Sequence, residues 1–373
     1  MQPDPATDEP SAAAGLVLTQ LSMKDFRLFA DVVLEPSTEG TTVLSGPNGS
    51  GKTTVLEAVA FLGSQRSFRG APRDAMIRGG CERGYVRGEL ADEGRKVTVE
   101  TELTRGPGES RAQVNRQRAR RADLAAAVPV TVFSPDDLAV VQGGPSARRS
   151  LLDDALANLD RRAATAVEDT DRALRQRGAL LRQAGGRRSA EIEATLDVWD
   201  ERLATAGSSL VAARRALLDE LSPLAQVAYA ALADAAGSFD VHLRYEQSWE
   251  GPFDVALAER RREDLRRGAT TAGPHRDDVA VELAGRDSRL QASQGEQRCL
   301  ALALRLGVHQ LLTERLGRPP ILLLDDVFSE LDPDRSRALV RELPRGQSLL
   351  STAVPLPDGM DVALVLDVRS LGS

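Results

Sequence analysis

The sequence predicts an α/β fold that is split in two by a helical insert. Three observations predict it. A short β-rich run, Thr41–Ser45, is followed by a glycine loop and then by an apolar helical run over 55–62. β-type alternation fills 84–104 and returns at 239–246, with a last strand at 362–366. Between these regions, from Pro145 to about Gly237, the apolar spacing is that of helix.

The loop is Gly46-Pro47-Asn48-Gly49-Ser50-Gly51-Lys52-Thr53-Thr54, which fits G-x-x-x-x-G-K-[ST] without a mismatch. A triphosphate needs many donors close together. Glycines at 46, 49 and 51 let the backbone bend so that its N–H groups converge on phosphate oxygens. The helix starting near Lys52 turns its positive end to the same anion. Lys52 adds a full charge for the β- and γ-phosphates of ATP, and the Thr53 hydroxyl is offered to Mg²⁺. A glycine turn with a chance Lys-Thr is the bland alternative, and the flanking strand and helix disfavour it.

The other elements follow in order. Residues 16–22 and 31–35 read as strands joined by the segment 23–29. Turn signals stand at Asp92-Glu93-Gly94 and at Arg105-Gly106-Pro107-Gly108, and further strands at 111–115 and 128–133. In the helical part, Leu152, Leu156, Leu159, Ala163, Val167, Leu174 and Leu181 make one stripe, which Gly185-Gly186 breaks. Leu196, Trp199, Leu203, Ala206, Leu210, Ala213 and Leu217 make a second, with steps alternating three and four. Two such helices joined by a glycine turn pack as an antiparallel hairpin, too short for a long coiled-coil arm. Past it come a strand at 279–283, a helix at 294–313, the apolar run Ile321-Leu322-Leu323-Leu324 ending in Asp325 and Asp326, a helix at 334–343 and a strand at 348–351.

Composition bounds the class. At 42% hydrophobic and 28% charged the chain is globular, and with aromatics at 3% its core is built from Leu, Val and Ala. Cys81 and Cys299 lie far apart, and His242, His275 and His309 show no metal spacing, so a reduced, cytoplasmic setting is expected. No apolar run approaches a membrane span, and residues 1–14, rich in Pro, Ala and acids, read as a loose tail. A net charge of −7 argues weakly against nucleic acid, because binding uses a patch and not the sum.

Asp325 and Asp326 complete the loop's chemistry. A buried strand delivers a carboxylate to the sheet edge where open α/β sheets bind ligands. Asp325 is expected to hold Mg²⁺ directly or through water, and Asp326 to lie beside the γ-phosphate and orient the attacking water. Ser293-Gln294-Gly295-Glu296-Gln297 precedes the helix leading to that strand, and Ser329-Glu330-Leu331-Asp332 follows the strand. Ser293 with Glu296 also fits a helix capping box, and the two readings are compatible.

In this order the motifs resemble the ATP-binding-cassette ATPases. The resemblance implies a P-loop ATPase head with mixed sheets and an inserted helical lobe. It also implies that Ser293, Gly295, Gln297 and Asp332 act in trans, across a homodimer that sandwiches ATP. The match narrows with the run from Pro135-Asp136-Asp137 through Arg148-Arg149-Ser150-Leu151-Leu152-Asp153, with Gly273-Pro274-His275-Arg276-Asp277-Asp278, and with Leu324-Asp325-Asp326-Val327-Phe328-Ser329. Together with Leu21 to Phe26-Arg27, these resemble the RecF family of recombination-repair proteins over almost the whole chain. The family implies ATP-dependent binding of double-stranded or gapped DNA, help in loading a recombinase, slow hydrolysis, and RecR-type and RecO-type partners. Arg27 is carried over as a nucleotide contact and Thr352 as the switch residue. The head is expected at 15–134 and 270–373, and the helical insert at 135–269.

Four departures stand out. Leu151 replaces an aromatic; either Asp136 or Gln142 stands in for a loop glutamine; Ser351-Thr352 replaces a switch histidine; and the second acid is Asp326 rather than Glu. For DNA, Arg111, Arg116, Arg118, Arg120 and Arg121 crowd a segment without acids, which suits phosphate contact as well as a solvated surface. Arg260, Arg261, Arg262, Arg266 and Arg267 are interleaved with acids and favour the solvated reading. A transporter ATPase subunit is the alternative function. It calls for a shorter helical lobe and the missing histidine. A chromosome-organising ATPase calls for hundreds more helical residues, and a small-molecule kinase has no use for the two later motifs.

Overall fold

A computed structural model describes residues 15–106, 110–233 and 240–372. The expected tail at 1–14 and the Pro107-Gly108 turn lie outside these, as do Gly237 and residue 239. The chain begins with two antiparallel strands, β1 (Leu16–Phe26) and β2 (Phe29–Leu34). β3 (Thr41–Ser45) then leads into α1 (Lys52–Ser64), followed by a short α2 (Arg73–Met76). A meander comes next: β4 (Arg83–Asp92), β5 (Arg95–Thr104), β6 (Arg111–Val114) and β7 (Gln117–Arg118). Then come α3 (Arg121–Ala127), β8 (Val130–Phe133), α4 (Leu138–Gln142), α5 (Pro145–Leu159), α6 (Arg161–Ala184) and α7 (Ala190–Ala233). The return half holds β9 (Val241–Glu246), α8 (Phe253–Arg267), β10 (Asp278–Leu283), β11 (Arg286–Asp287), α9 (Ser288–Gln291) and α10 (Gln294–Leu316). It closes with β12 (Ile321–Asp325), α11 (Pro333–Glu342), β13 (Ser348–Ser351) and β14 (Val362–Asp367).

The strands form three sheets. The first is antiparallel, in the order β2-β1-β4-β5-β6-β7; the second, β11-β10-β9, is antiparallel too. The third is parallel, β14-β3-β13-β12-β8. Strand types are thus mixed between sheets and not within them. The parallel sheet joins the two halves of the chain, since β3 and β8 precede the helical segment and β12, β13 and β14 follow it.

Its strands are apolar on both faces, as parallel strands must be when both faces are covered. Val43, Leu322, Leu324 and Leu350 point into one core cluster, with α5, α7, α10 and α11. The alternate residues Leu44, Ile321, Leu323 and Leu349 point into another, with α1 and the antiparallel sheet. α1 lies between the two sheets and is buried nearly all round, from Val55 to Gly63. The first cluster also takes in Leu151, Leu152, Leu217 and Leu218, so the core crosses from the helical segment into the head without a break.

Two expectations are corrected. β1 continues through Met23 and Phe26, both buried, and the connection to β2 is only Arg27-Leu28; the polar pair Lys24-Asp25 masked the alternation. The first helical stripe is two helices. Asp160 is extended (φ −146°, ψ 127°), and its carboxylate accepts the Arg162 N–H at 2.9 Å, capping α6. The hairpin itself is as expected. Gly185 ends α6 in the left-handed region, and Leu181 packs near Leu196, Ala173 near Leu203, the register of an antiparallel pair. Fully buried Arg177 of α6 ties it to α7 and α8, donating to Asp200 and Asp264, each at 2.6 Å.

Among the described residues no helix is long and apolar enough to cross a membrane.

Candidate functional site

The phosphate loop runs from the end of β3 into α1. Gly46, Gly49 and Gly51 have φ of +143°, +80° and +105°, which side-chain-bearing residues rarely adopt. A Cβ at Gly51 would also meet the Phe29 ring at 2.7 Å, so the β1–β2 turn forms a wall of the loop. The first turn of α1 carries N–H groups that helix geometry leaves without intrahelical acceptors. The Lys52 ammonium lies over the loop, donating to the carbonyls of Gly46 (2.7 Å) and Pro47 (3.0 Å). The Ser50 hydroxyl is buried and has no partner among the described residues.

β12 brings its acids to the same edge. The Thr53 hydroxyl donates to Asp325 Oδ1 at 2.7 Å, and the Ser351 hydroxyl donates to the same oxygen at 2.5 Å. β13 lies between β3 and β12, with Ser351 in register with both Asp325 and Leu44, so it ends between the loop and the carboxylate. A hydroxyl and a buried carboxylate side by side are hard oxygen donors of the kind that share Mg²⁺ with phosphates and water. Asp326 follows in the left-handed region (φ +48°), held by N–H bonds to the Ser351 carbonyl (3.0 Å) and hydroxyl (3.2 Å). Its Oδ1 is buried with no partner among the described residues, an acceptor that suits a water or phosphate hydroxyl.

The sequence offers Ser351-Thr352 at the switch position, and of the pair it is Ser351 that reaches Asp325. The switch assignment fell on Thr352, whose hydroxyl is engaged in its own turn, donating to the Val354 carbonyl at 2.9 Å and accepting its N–H at 3.1 Å. Strand order, which places Ser351 beside Asp325, is not written in a local pattern. Arg27, expected as a nucleotide contact, is held by the helix that follows the loop. Its guanidinium forks onto Glu57 of α1 (2.7 and 2.6 Å) and donates to the Ala75 carbonyl (3.0 Å), while Leu28 and Phe29 approach the loop.

The second motif group assembles separately, at the start of α10. Ser293 stands exposed as N-cap. Its hydroxyl accepts the Glu296 N–H (3.3 Å), and Glu296 accepts the Ser293 N–H (2.7 Å), the expected capping box. These bonds hold the Glu296 carboxyl below its ordinary range. Asp332 caps α11, accepting the Arg335 N–H at 2.9 Å. Gln297 departs from the outward role expected of it. It is buried, both its N–H groups go to the carbonyls of Ser288 (2.9 Å) and Arg289 (3.1 Å), and its oxygen accepts from Gln142 (2.7 Å). Of the two loop-glutamine candidates, Gln142 therefore touches the motif group, while Asp136 stands exposed.

The remaining sequence signatures are knots between segments. Arg148 forks onto Asp278 (2.7 and 2.9 Å), and Arg149 donates to the Asp277 carbonyl (2.6 Å). Arg214 of α7 forks onto Asp153 (2.8 Å twice) and donates to the Pro274 carbonyl (2.8 Å). Of the acid-free arginines, Arg111, Arg116, Arg118 and Arg120 are exposed around β6 and β7. Arg121 is removed from that surface: it pairs with Asp154 at 3.1 Å, and burial pulls its guanidinium down. In the second cluster, Arg266 pairs with Glu263 on its own helix, as a solvated face does, whereas Arg261 is half-buried and ties α8 to Asp197 and Asp200 of α7.

Residues 17–349 match the family described as RecF/RecN/SMC N terminal domain. The chain is 38% identical over 356 residues to the DNA replication and repair protein RecF of Acidothermus cellulolyticus, covering 92% of this chain and 95% of that one. The chain belongs to the RecF family of DNA replication and repair proteins. The RecF of Streptomyces avermitilis is also 38% identical, over 352 residues, 90% of this chain and 93% of its own. The solved structure of the recombination mediator protein RecF-ATP in the RecFOR pathway superposes with a TM-score of 0.83 at 27% identity, covering 93% of this chain and 94% of that one. An Smc head domain from Pyrococcus furiosus shares the fold, with a TM-score of 0.51 at 18% identity and coverage of 96% and 92%.

Proposed function

We propose that this chain is an ATP-switched DNA-binding protein of recombinational repair. ATP and Mg²⁺ bind at the loop 46–54: backbone N–H groups and Lys52 hold the phosphates, Thr53 and Asp325 hold the metal, and Asp326 orients the attacking water. Two heads associate around two ATP molecules, with Ser293, Gly295 and the Asp332 loop meeting the nucleotide of the partner. The dimer closes on double-stranded or gapped DNA, with Arg111, Arg116, Arg118 and Arg120 as candidate phosphate contacts. Slow, DNA-stimulated hydrolysis resets it, in the cytoplasm and with RecR-type and RecO-type mediators. Family membership does not favour the transporter alternative.

The observation that carries this reading is the Thr53–Asp325 bond. It joins the phosphate loop to a carboxylate from the far half of the chain and so completes a metal–phosphate site. Its test compares wild type with Lys52→Met and Ser293→Arg for nucleotide binding, mass with and without ATP, and duplex DNA binding. Lys52→Met is expected to lose ATP-dependent association and DNA binding. Ser293→Arg is expected to keep monomer ATP binding and lose the dimer. A Lys52→Met protein that still dimerises and binds DNA with ATP refutes the loop assignment. A Ser293→Arg protein that dimerises normally refutes the sandwich.

A further inference from the structure

Arg335 belongs to neither outward motif, yet it is where the two meet. It projects from the first turn of α11, three residues after Asp332. Its backbone N–H and its guanidinium Nη1 both engage the Asp332 carboxylate, at 2.9 and 3.1 Å. The other side of the guanidinium lies against the first turn of α10: Nη1 and Nη2 stand 2.6 and 2.7 Å from where a Cβ at Gly295 would project. A side chain at 295 and this arginine would therefore compete for one space. The charge also acts on two neighbours in that turn, helping Ser293 lower Glu296 and opposing the upward push of burial on the Cys299 thiol. Nearby, Arg298 donates to the Glu330 carbonyl at 2.9 Å, a second strut between the same segments.

We propose that Arg335 is a positioning residue for ATP-dependent association: it sets the Ser293–Gly295 turn and the Asp332 loop as one surface, so that both reach the partner's nucleotide together. The proposal rests on the ATP sandwich above and adds a residue that holds its two trans elements in register. An arginine suits the task because its planar guanidinium engages the carboxylate through Nη1 while also covering the glycine. Its charge also offsets Asp332 and Glu296, which would otherwise oppose an approaching γ-phosphate. A lysine keeps the charge but not the two-sided contact.

The experiment measures the monomer–dimer equilibrium by sedimentation with Mg²⁺ and a non-hydrolysable ATP analogue. It compares wild type with Arg335→Ala, Arg335→Lys, Asp332→Asn, and the Arg335→Ala/Asp332→Asn double variant. Arg335→Ala is expected to weaken the dimer on the order of tenfold to a hundredfold, the effect of a lost charge-assisted bond, with monomer nucleotide affinity and melting temperature at wild-type values. Arg335→Lys recovers part of the loss. Because Arg335 acts through Asp332, the double variant is no weaker than the worse single one. Wild-type dimerisation by Arg335→Ala, or additive losses in the double variant, overturns the proposal. Ser293→Arg run alongside separates the two ideas. If it abolishes a dimer that Arg335→Ala leaves intact, only the role of Arg335 fails. If wild type itself stays monomeric with the analogue, the sandwich fails and this inference falls with it.

Discussion

At the residue scale, Asp326 carries the sharpest expectation. It is the second acid of the strand end, it sits at φ +48°, and its Oδ1 is buried without a partner among the described residues. Asparagine tolerates the left-handed region, so Asp326→Asn keeps the backbone and removes only the negative charge. ATP binding and the ATP-bound dimer are expected to persist while single-turnover phosphate release falls on the order of a hundredfold or more, the usual worth of a positioned general base. Release at the wild-type rate would rule out Asp326 as the water-orienting group. The phosphate loop was legible residue by residue because its chemistry is local: three glycines at positive φ and one helix start define it. The contact of Ser351 with Asp325 was not, because it arises only through a strand order that no local pattern encodes.

At the scale of elements, α10 links the motif group at its start to the deep core under the parallel sheet. His309 lies along that helix, 1% exposed, with neither ring nitrogen partnered among the described residues. Burial pushes its imidazole down to about 4 from an ordinary value of 6.5. The unfolded chain therefore binds a proton below pH 6.5 that the folded protein refuses until about pH 4. This contribution to stability is complete above pH 6.5 and is lost as the pH falls through that window, on the order of 3 kcal/mol in all. His309→Leu is expected to flatten the fall of unfolding free energy between pH 6.5 and 4, measured by urea titration at a series of pH values. A slope identical to wild type would show that His309 is not the group responsible. The helical pattern of α10 was plain in the sequence, whereas the neutrality of His309 follows from its burial in the folded chain, which no local pattern shows.

For the whole molecule, stability depends on ties between distant segments. Arg214 is the clearest: from α7 it holds Asp153 of α5 and the Pro274 carbonyl before β10. Burial raises the Asp153 carboxyl even with Arg214 beside it, so removing the arginine leaves an uncompensated charge in the interior. Arg214→Ala is expected to cost about 3–5 kcal/mol, read as a lower urea midpoint. An unchanged midpoint would mean that the knot does not hold the segments together. The same ties explain why the arginine-rich and aspartate-rich signatures at 145–153 and 273–278 read as motifs without chemistry of their own. They face each other through the Arg148–Asp278 ion pair and the Arg149 bond to the Asp277 carbonyl, and Arg214 ties both to α7.

Taken alone, the sequence determined the phosphate loop, the two acids at the end of β12, the capping box at Ser293, the helical hairpin and the family resemblance. Each of these rests on neighbours in the chain, where spacing and side-chain type decide the outcome. Tertiary structure alone decided the rest. It placed β13 between β3 and β12 and so brought Ser351 to Asp325. It turned Gln297 inward onto Gln142, drew half-buried Arg121 onto Asp154, and set Arg335 between Gly295 and Asp332. The physical reason is common to all four: a polar side chain settles against whatever the packed elements leave within reach, and in each case a neighbour from a distant segment of the chain sets its place.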